Sequence, residues 1–76
     1  MKVAYYAMGG GYGHVMRGLA VLSRLGHGTL VAPERHRPWA ESMNVAFATS
    51  MADADFVLVD TFPRGVTGEL ELHAPA

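Results

Sequence analysis

The sequence predicts an α/β fold in which a parallel sheet of about four strands is flanked by helices. Three observations predict this class: several short apolar runs, a stretch of helical periodicity after the first run, and a glycine-rich turn that joins the two. The chain has 76 residues and no cysteine. One small domain, held together by its core without disulfides, is therefore the most that this length allows.

The first strand is expected at residues 2–8, KVAYYAM, where β-branched, aromatic and small apolar residues are typical of a strand buried on both faces. Residues 14–25 place Val15, Gly18, Leu19, Leu22 and Leu25 on one arc of a helix, and a glycine follows at the natural stop. A second strand, GTLVA, is expected at residues 28–32.

In the second half of the chain, predicted helices and strands continue to follow one another. A short helix is expected to begin near Pro38, because proline is tolerated in the first turn. Strands are expected at residues 44–49 and 54–60, and a weak helix at residues 66–74. The segment from Thr49 to Asp55 is too short for a helical crossover, because parallel strands need a dozen or more linking residues. Either the third strand is not paired as supposed, or a longer segment has been lost there.

Four glycines crowd the loop after the first strand. Glycines allow positive φ and let an anion approach the main chain, while the free amides and dipole of a helix start attract negative charge. The sequence therefore predicts that Gly10, Gly11, Tyr12 and Gly13 bind a phosphate, diphosphate or carboxylate. The alternative is a tight turn that places the helix against the sheet.

The familiar phosphate-binding patterns do not fit this loop. In a G-x-G-x-x-G reading the third glycine position holds His14 or Met16, and no lysine is followed by serine or threonine as a P-loop requires. Glu34 lies where a ribose-binding acid would sit, but with the glycine pattern broken a solvated loop acid is the favoured interpretation.

His14 is the candidate catalytic residue. It opens the helix, and Arg17 follows one turn later on the same face. The positive helix end disfavours an imidazolium, so a neutral His14 is predicted to act as a base or hydrogen-bond donor. The alternative for His14 is a capping role, and Arg17 either pairs with an anion or is solvated.

A second group of candidates follows the fourth strand. Asp60 and Thr61 lie at the edge where open α/β sheets bind ligands, and Arg64, in a Pro–Arg–Gly turn, is within reach of the same crevice. Binding and structural roles remain open for all three. Asp53 and Asp55 imitate a metal-binding D-x-D motif but precede a strand, so a loop is predicted there.

Other polar and aromatic residues give weaker signals. His27, His36 and His73 have no metal-ligand spacing, and Trp39 is expected to have a packing role. No metal and no cofactor are therefore predicted.

Two segments of the chain resemble a known family. Residues 9–25, GGGYGHVMRGLAVLSRL, resemble the first loop and helix of GT-B-fold glycosyltransferases, in particular the group that includes the lipid-linked N-acetylglucosaminyltransferase of peptidoglycan synthesis. Residues 55–70, DFVLVDTFPRGVTGEL, look like a later strand and loop of predicted bacterial glycosyltransferases of that group.

The resemblance implies a partial Rossmann-like, acceptor-binding N-terminal domain spanning residues 1–76. Gly11, Gly13 and His14 would lie near the donor diphosphate or the acceptor hydroxyl, and Arg17 matches a helix position of the family. A complete enzyme would also need a C-terminal domain that holds the nucleotide-sugar donor. We therefore expect an incomplete domain that is inactive alone; the alternatives are a non-catalytic phosphate- or nucleotide-binding module and a truncated remnant.

The composition of the chain limits the classes of partner that it is expected to bind. Six basic and seven acidic residues are scattered along the chain, which excludes the basic footprint of a nucleic-acid-binding protein. No apolar run approaches the length of a transmembrane segment, so a cytoplasmic protein is expected. Half of the residues are hydrophobic, which is generous at this length and predicts apolar surface that a partner or a second copy would cover.

Overall fold

The computed structural model describes residues 1–9, 11–51 and 53–60 and confirms the predicted α/β class. Four parallel strands form one sheet, and two helices flank it. The elements in chain order are β1 (Val3–Tyr6), α1 (Tyr12–Leu25), β2 (Thr29–Val31), a 3₁₀ turn (Glu34–His36), α2 (Arg37–Ser42), β3 (Ala46–Ala48) and β4 (Phe56–Val59). The helix predicted at residues 66–74 lies outside the described residues.

The strands lie in the order β3-β2-β1-β4, with every neighbouring pair parallel. This is the arrangement of a Rossmann-like half sheet. The chain builds outward from β1 through β2 to β3 and then returns to the other side of β1. The direction of building thus reverses between β1 and β4, and the carboxyl ends of these two strands form the switch point at which open α/β sheets bind ligands.

The short segment between β3 and β4 joins two strands at opposite edges of the sheet, and its described residues cross the sheet face without forming a helix. β3 pairs with β2, and β4 pairs with β1. From the linking segment, Met51 and Ala54 pack against the buried side chains of Ala4, Tyr6 and Val31. The linking segment therefore covers part of the sheet face opposite α1.

Helix α1 covers the other face and forms the main core. Its Val15, Leu19 and Leu22 are buried against Tyr5 and Leu30 of the sheet. The helix begins two residues earlier than the sequence predicted, with Gly11 as its N-cap. It ends as predicted, at a left-handed glycine whose amide donates to a carbonyl of the last turn.

Close contact between α1 and the sheet depends on Gly18. A Cβ at this position would lie 2.6 Å from Cδ1 of Tyr5 and 2.9 Å from Cδ1 of Leu30. The missing side chain therefore lets the Tyr5 ring lie directly beneath the helix.

Among the described residues, no helix has both the length and the hydropathy of a membrane span.

Candidate functional site

The candidate site lies at the switch point of the sheet. The glycine loop and the first turn of α1 follow the carboxyl end of β1, and Asp60 directly follows β4, which is the neighbour of β1. Two segments that are far apart in sequence therefore meet at one edge of the sheet. The sequence predicted this edge for Asp60, and the strand order confirms its position there.

The Asp60 carboxylate is the centre of the site. Its side chain is only 5% exposed, and within the described residues it accepts hydrogen bonds from three side chains. The Tyr5 hydroxyl donates to Oδ2 at 2.6 Å, His14 Nδ1 lies 3.0 Å from Oδ1, and Arg17 donates to Oδ1 at 3.1 Å. A buried carboxylate needs such partners, because loss of hydration is otherwise costly.

Strand alternation explains why these groups converge. Tyr5 is paired in register with Leu58, and Asp60 lies two residues beyond Leu58, so both side chains project from the sheet face that α1 covers. His14 and Arg17 are three residues apart on α1, and one face of the helix presents both to the carboxylate.

The network shifts the pKa of two groups in opposite directions. Burial raises the pKa of Tyr5 to about 12, and the hydrogen bond to Asp60 adds to the shift. Burial also acts to raise the pKa of Asp60, but the hydrogen bonds from Tyr5 and His14 and the charge of Arg17 outweigh it and lower that pKa. Near neutral pH, Asp60 is therefore an anion and Tyr5 a neutral donor.

An ionised Asp60 fixes the orientation of His14. A carboxylate only accepts hydrogen bonds, so Nδ1 of His14 must carry the proton in their contact. In a neutral imidazole the lone pair then lies on Nε2. The His14 side chain is about one third exposed, so part of the imidazole is in contact with solvent.

Arg17 contacts Asp60 through the end of its side chain. One guanidinium nitrogen donates to Asp60, while the side chain remains 60% exposed. The sequence left two roles open for Arg17, an anion partner or a solvated side chain, and the structure adds a third, a donor to Asp60. Its charge also keeps the site from being purely anionic.

The described part of the glycine loop shows where glycine is required by the backbone and where it is not. Gly9 has a φ of 77°, which favours glycine. Gly11 has a φ of −88°, Gly13 lies within α1, and a Cβ at either position would meet no described atom within 4 Å. Gly11 provides no capping side chain, and the first turn has no acidic residue. The helix start is therefore open to an approaching group.

An aromatic pair borders the same helix start. The rings of Tyr12 and Trp39 meet edge to face with their centroids 5.7 Å apart. Trp39 therefore packs against another side chain, as expected, while it stays 46% exposed. Glu34, for which a solvated loop acid was the favoured interpretation, is exposed and forms an ion pair with Arg37 that lowers the pKa of the glutamate.

Three of the predicted site residues lie outside the described residues: Gly10, Thr61 and Arg64. Their binding roles stay predictions. Asp55 immediately precedes β4 and accepts a hydrogen bond from the Lys2 amide at 2.8 Å, in agreement with its predicted structural role.

Neither of two cavities found elsewhere in the described chain includes this site. One, of about 360 Å³, is lined by residues such as Lys2, Ala4, Thr29 and Ser50; the other, of about 400 Å³, lies between the end of α1 and the start of β3. Among the described residues, no group of three or more histidine, aspartate or glutamate side chains is arranged to bind a metal ion. The groups that the described residues bring to the site are the side chains of Tyr5, His14, Arg17 and Asp60 and the amides at the start of α1.

Comparison with protein-family models, with curated proteins and with solved structures finds no match to this chain.

Tyr5 is the site residue that sequence reasoning missed. The sequence places it only in a buried strand, although its position three residues before the end of the run is a signal. A tyrosine near the carboxyl end of a buried strand must find a partner for its hydroxyl. A small residue such as Gly18 on the following helix indicates which face leaves room for the ring.

Proposed function

We propose that this chain is the acceptor-side part of a nucleotide-sugar-dependent glycosyltransferase, with His14 as the base that deprotonates the acceptor hydroxyl. The observation that carries the proposal is the 3.0 Å contact between His14 Nδ1 and the buried carboxylate of Asp60. An aspartate that orients a histidine and stabilises its protonated form is a common arrangement for base catalysis at an oxygen nucleophile.

Two parts of the site have different tasks in this reaction: His14 takes the proton of the acceptor, and the start of α1 stabilises the leaving diphosphate. The acceptor oxygen attacks the anomeric carbon of the donor sugar, and its proton passes to Nε2 of His14. The bond between that carbon and the diphosphate oxygen breaks, and the nucleoside diphosphate leaves with the electron pair. Amides at the start of α1, beside Gly11 and Gly13, stabilise the negative charge on the departing diphosphate. Arg17 adds positive charge on the same side.

The choice of a nucleotide sugar rests on the resemblance of residues 9–25 and 55–70 to GT-B-fold enzymes. In that family a second domain holds most of the donor, and we propose that this chain acts together with such a domain. The open edge suits a cleft between two domains better than an enclosed pocket would.

The test is turnover by the chain joined to a donor-binding domain, measured as release of nucleoside diphosphate from a panel of nucleotide sugars. Replacement of His14 by alanine should lower turnover about 10²- to 10⁴-fold, the usual contribution of a general base. His27→Ala is the matched control, because His27 is exposed on the turn after α1 and should leave turnover unchanged. Equal turnover in the two variants would contradict the base role.

A second function is favoured by one observation. The open space at Gly11 and Gly13, together with the uncapped helix start, also suits a small module that binds phosphate or nucleotide without catalysis. Calorimetric titration of the chain alone with nucleotides and sugar phosphates tests this alternative. Binding would support it, and the absence of heat at millimolar ligand would exclude it.

A further inference from the structure

Tyr5 holds one oxygen of the Asp60 carboxylate from beneath helix α1. Its hydroxyl donates to Oδ2 at 2.6 Å, whereas His14 and Arg17 both contact Oδ1, at 3.0 and 3.1 Å. Among the described residues, the two oxygens therefore have separate partners. Oδ1 is contacted from helix α1, and Oδ2 is contacted from strand β1.

The backbone of Asp60 is held independently of its carboxylate. Its amide donates to the Tyr6 carbonyl oxygen at 3.1 Å, which continues the pairing of β4 with β1. The carboxylate itself turns about the Cβ–Cγ bond, a torsion with broad preferences. A fixed partner on Oδ2 therefore keeps Oδ1 directed at His14.

The Tyr5 hydroxyl is such a fixed partner. Tyr5 lies on β1, which pairs with β2 on one side and with β4 on the other, and the residue is only 6% exposed. A Cβ at Gly18 would lie 2.6 Å from Cδ1 of the ring, so the ring fits closely against α1. The strand and the helix together thus fix the position of the hydroxyl.

The hydroxyl also remains a donor near neutral pH. Burial, together with the hydrogen bond to Asp60, raises the pKa of Tyr5 to about 12. Burial acts to raise the pKa of Asp60 as well, and the hydrogen bond from Tyr5 is among the contacts that outweigh it and lower that pKa. Tyr5 therefore favours the ionised carboxylate that His14 contacts.

We infer that Tyr5 is a positioning residue for the base: its hydroxyl fixes the Asp60 carboxylate, and the carboxylate in turn orients the His14 ring. This inference rests on the proposed function, because it takes His14 to be the base. Tyr5 lies beneath α1 and acts on the reaction through Asp60. A tyrosine with a role only in the core would also need a partner for its hydroxyl, but its loss would not move the proton of the His14 ring.

Nitrogen-15 NMR of the 76-residue chain tests the inference through Tyr5→Phe, which keeps the ring and removes the hydroxyl. The released carboxylate should turn away from His14 for part of the time. The ratio of the two neutral tautomers should then shift about tenfold toward a proton on Nε2, as expected for loss of one hydrogen bond to a charged group. The carbon-13 signal of the Asp60 carboxyl should also titrate at higher pH, because a contact that lowers its pKa is gone.

Tyr6→Phe is the matched control. Tyr6 is the next residue on β1 and is fully buried, but its side chain packs on the opposite face of the sheet, with Ala4 and Val31. The same loss of a hydroxyl there should leave the His14 tautomer and the Asp60 titration as they are in the unmodified chain.

Gly18→Ala replaces Tyr5→Phe if that variant fails to fold, because it keeps the hydroxyl and displaces the ring. It should shift the His14 tautomer in the same direction. The inference is overturned by an unchanged His14 tautomer, whatever the Asp60 titration shows, or by an equal change in Tyr6→Phe. Because this readout needs no turnover, its failure is distinct from failure of the His14→Ala test.

Discussion

At the scale of single residues, the site depends on the Asp60 carboxylate, which Tyr5, His14 and Arg17 all contact. His14, Arg17 and Asp60 were each candidates, because a polar residue at a helix start or strand end is visible in the sequence. Their convergence on one carboxylate was not predictable, because it depends on β4 lying beside β1. A strand order is a property of the whole sheet, and no local pattern in a 76-residue chain reveals it.

Two glycines in α1 give a matched pair of residue-scale predictions. Gly18→Ala should lower the free energy of unfolding by roughly 1–3 kcal/mol, because the new methyl group would overlap Tyr5 and Leu30. The displaced ring should also weaken the hydrogen bond from the Tyr5 hydroxyl to Asp60. Chemical denaturation measures the first effect.

Gly13→Ala is the control for Gly18→Ala. Gly13 lies in the same helix, but a methyl group there meets no described atom within 4 Å, so stability should not fall. Binding of an anionic ligand at the helix start should weaken instead. If both variants lost the same stability, overlap of a new methyl group with Tyr5 and Leu30 would not be the reason for the effect at Gly18.

At the scale of elements, the periodicity of α1 and the apolar runs predicted the helices and strands well. The ends of α1 show the limit of this reasoning. Gly26 marked the C-terminus correctly, while the start lay two residues before the predicted one because Gly11, without a side chain, acts as the N-cap. A glycine N-cap gives a much weaker sequence signal than serine, threonine or aspartate.

The turn and helix after β2 carry a buried histidine that should make stability depend on pH. His36 is 6% exposed, and its Nε2 has no hydrogen-bond partner among the described residues. Burial, with a smaller effect from Arg35, lowers the pKa of His36 below its ordinary value of 6.5. The unfolded chain therefore binds a proton first as the pH falls, and the folded state loses stability below about pH 6.5.

Denaturation at about pH 7.5 and about pH 5.5 checks this expectation. The free energy of unfolding should be lower at the acidic pH, and His36→Phe should reduce the difference. His27→Phe provides the comparison, since His27 is exposed. If the pH dependence is the same with and without His36, the imidazole is not the group that titrates.

At the scale of the whole molecule, we predict that the chain alone is marginally stable and self-associates. Helix α1 covers one sheet face, but among the described residues the other face is covered by Met8 and the segment between β3 and β4 without a helix. On the edge strand β4, Phe56 is 51% and Val59 38% exposed. An apolar edge strand recruits other chains, and the net charge of −1 gives little repulsion.

Sedimentation over a range of concentrations, combined with thermal unfolding, measures both properties. We expect a sedimentation coefficient that rises with concentration and a low melting temperature. A clean monomer that unfolds cooperatively above ~65 °C would contradict the prediction and would show that these elements form a self-sufficient domain.

The central claim is that Asp60 holds the proton of His14 on Nδ1 and so leaves Nε2 as the base. Nitrogen-15 NMR of the imidazole rings, with the His14 signals assigned by His14→Ala, tests it most directly. We predict that neutral His14 is protonated on Nδ1 in the unmodified chain, and that Asp60→Ala shifts the proton toward Nε2 because the acceptor at Nδ1 is lost. A proton on Nε2 in the unmodified chain, or a tautomer unchanged by loss of the carboxylate, would contradict the account.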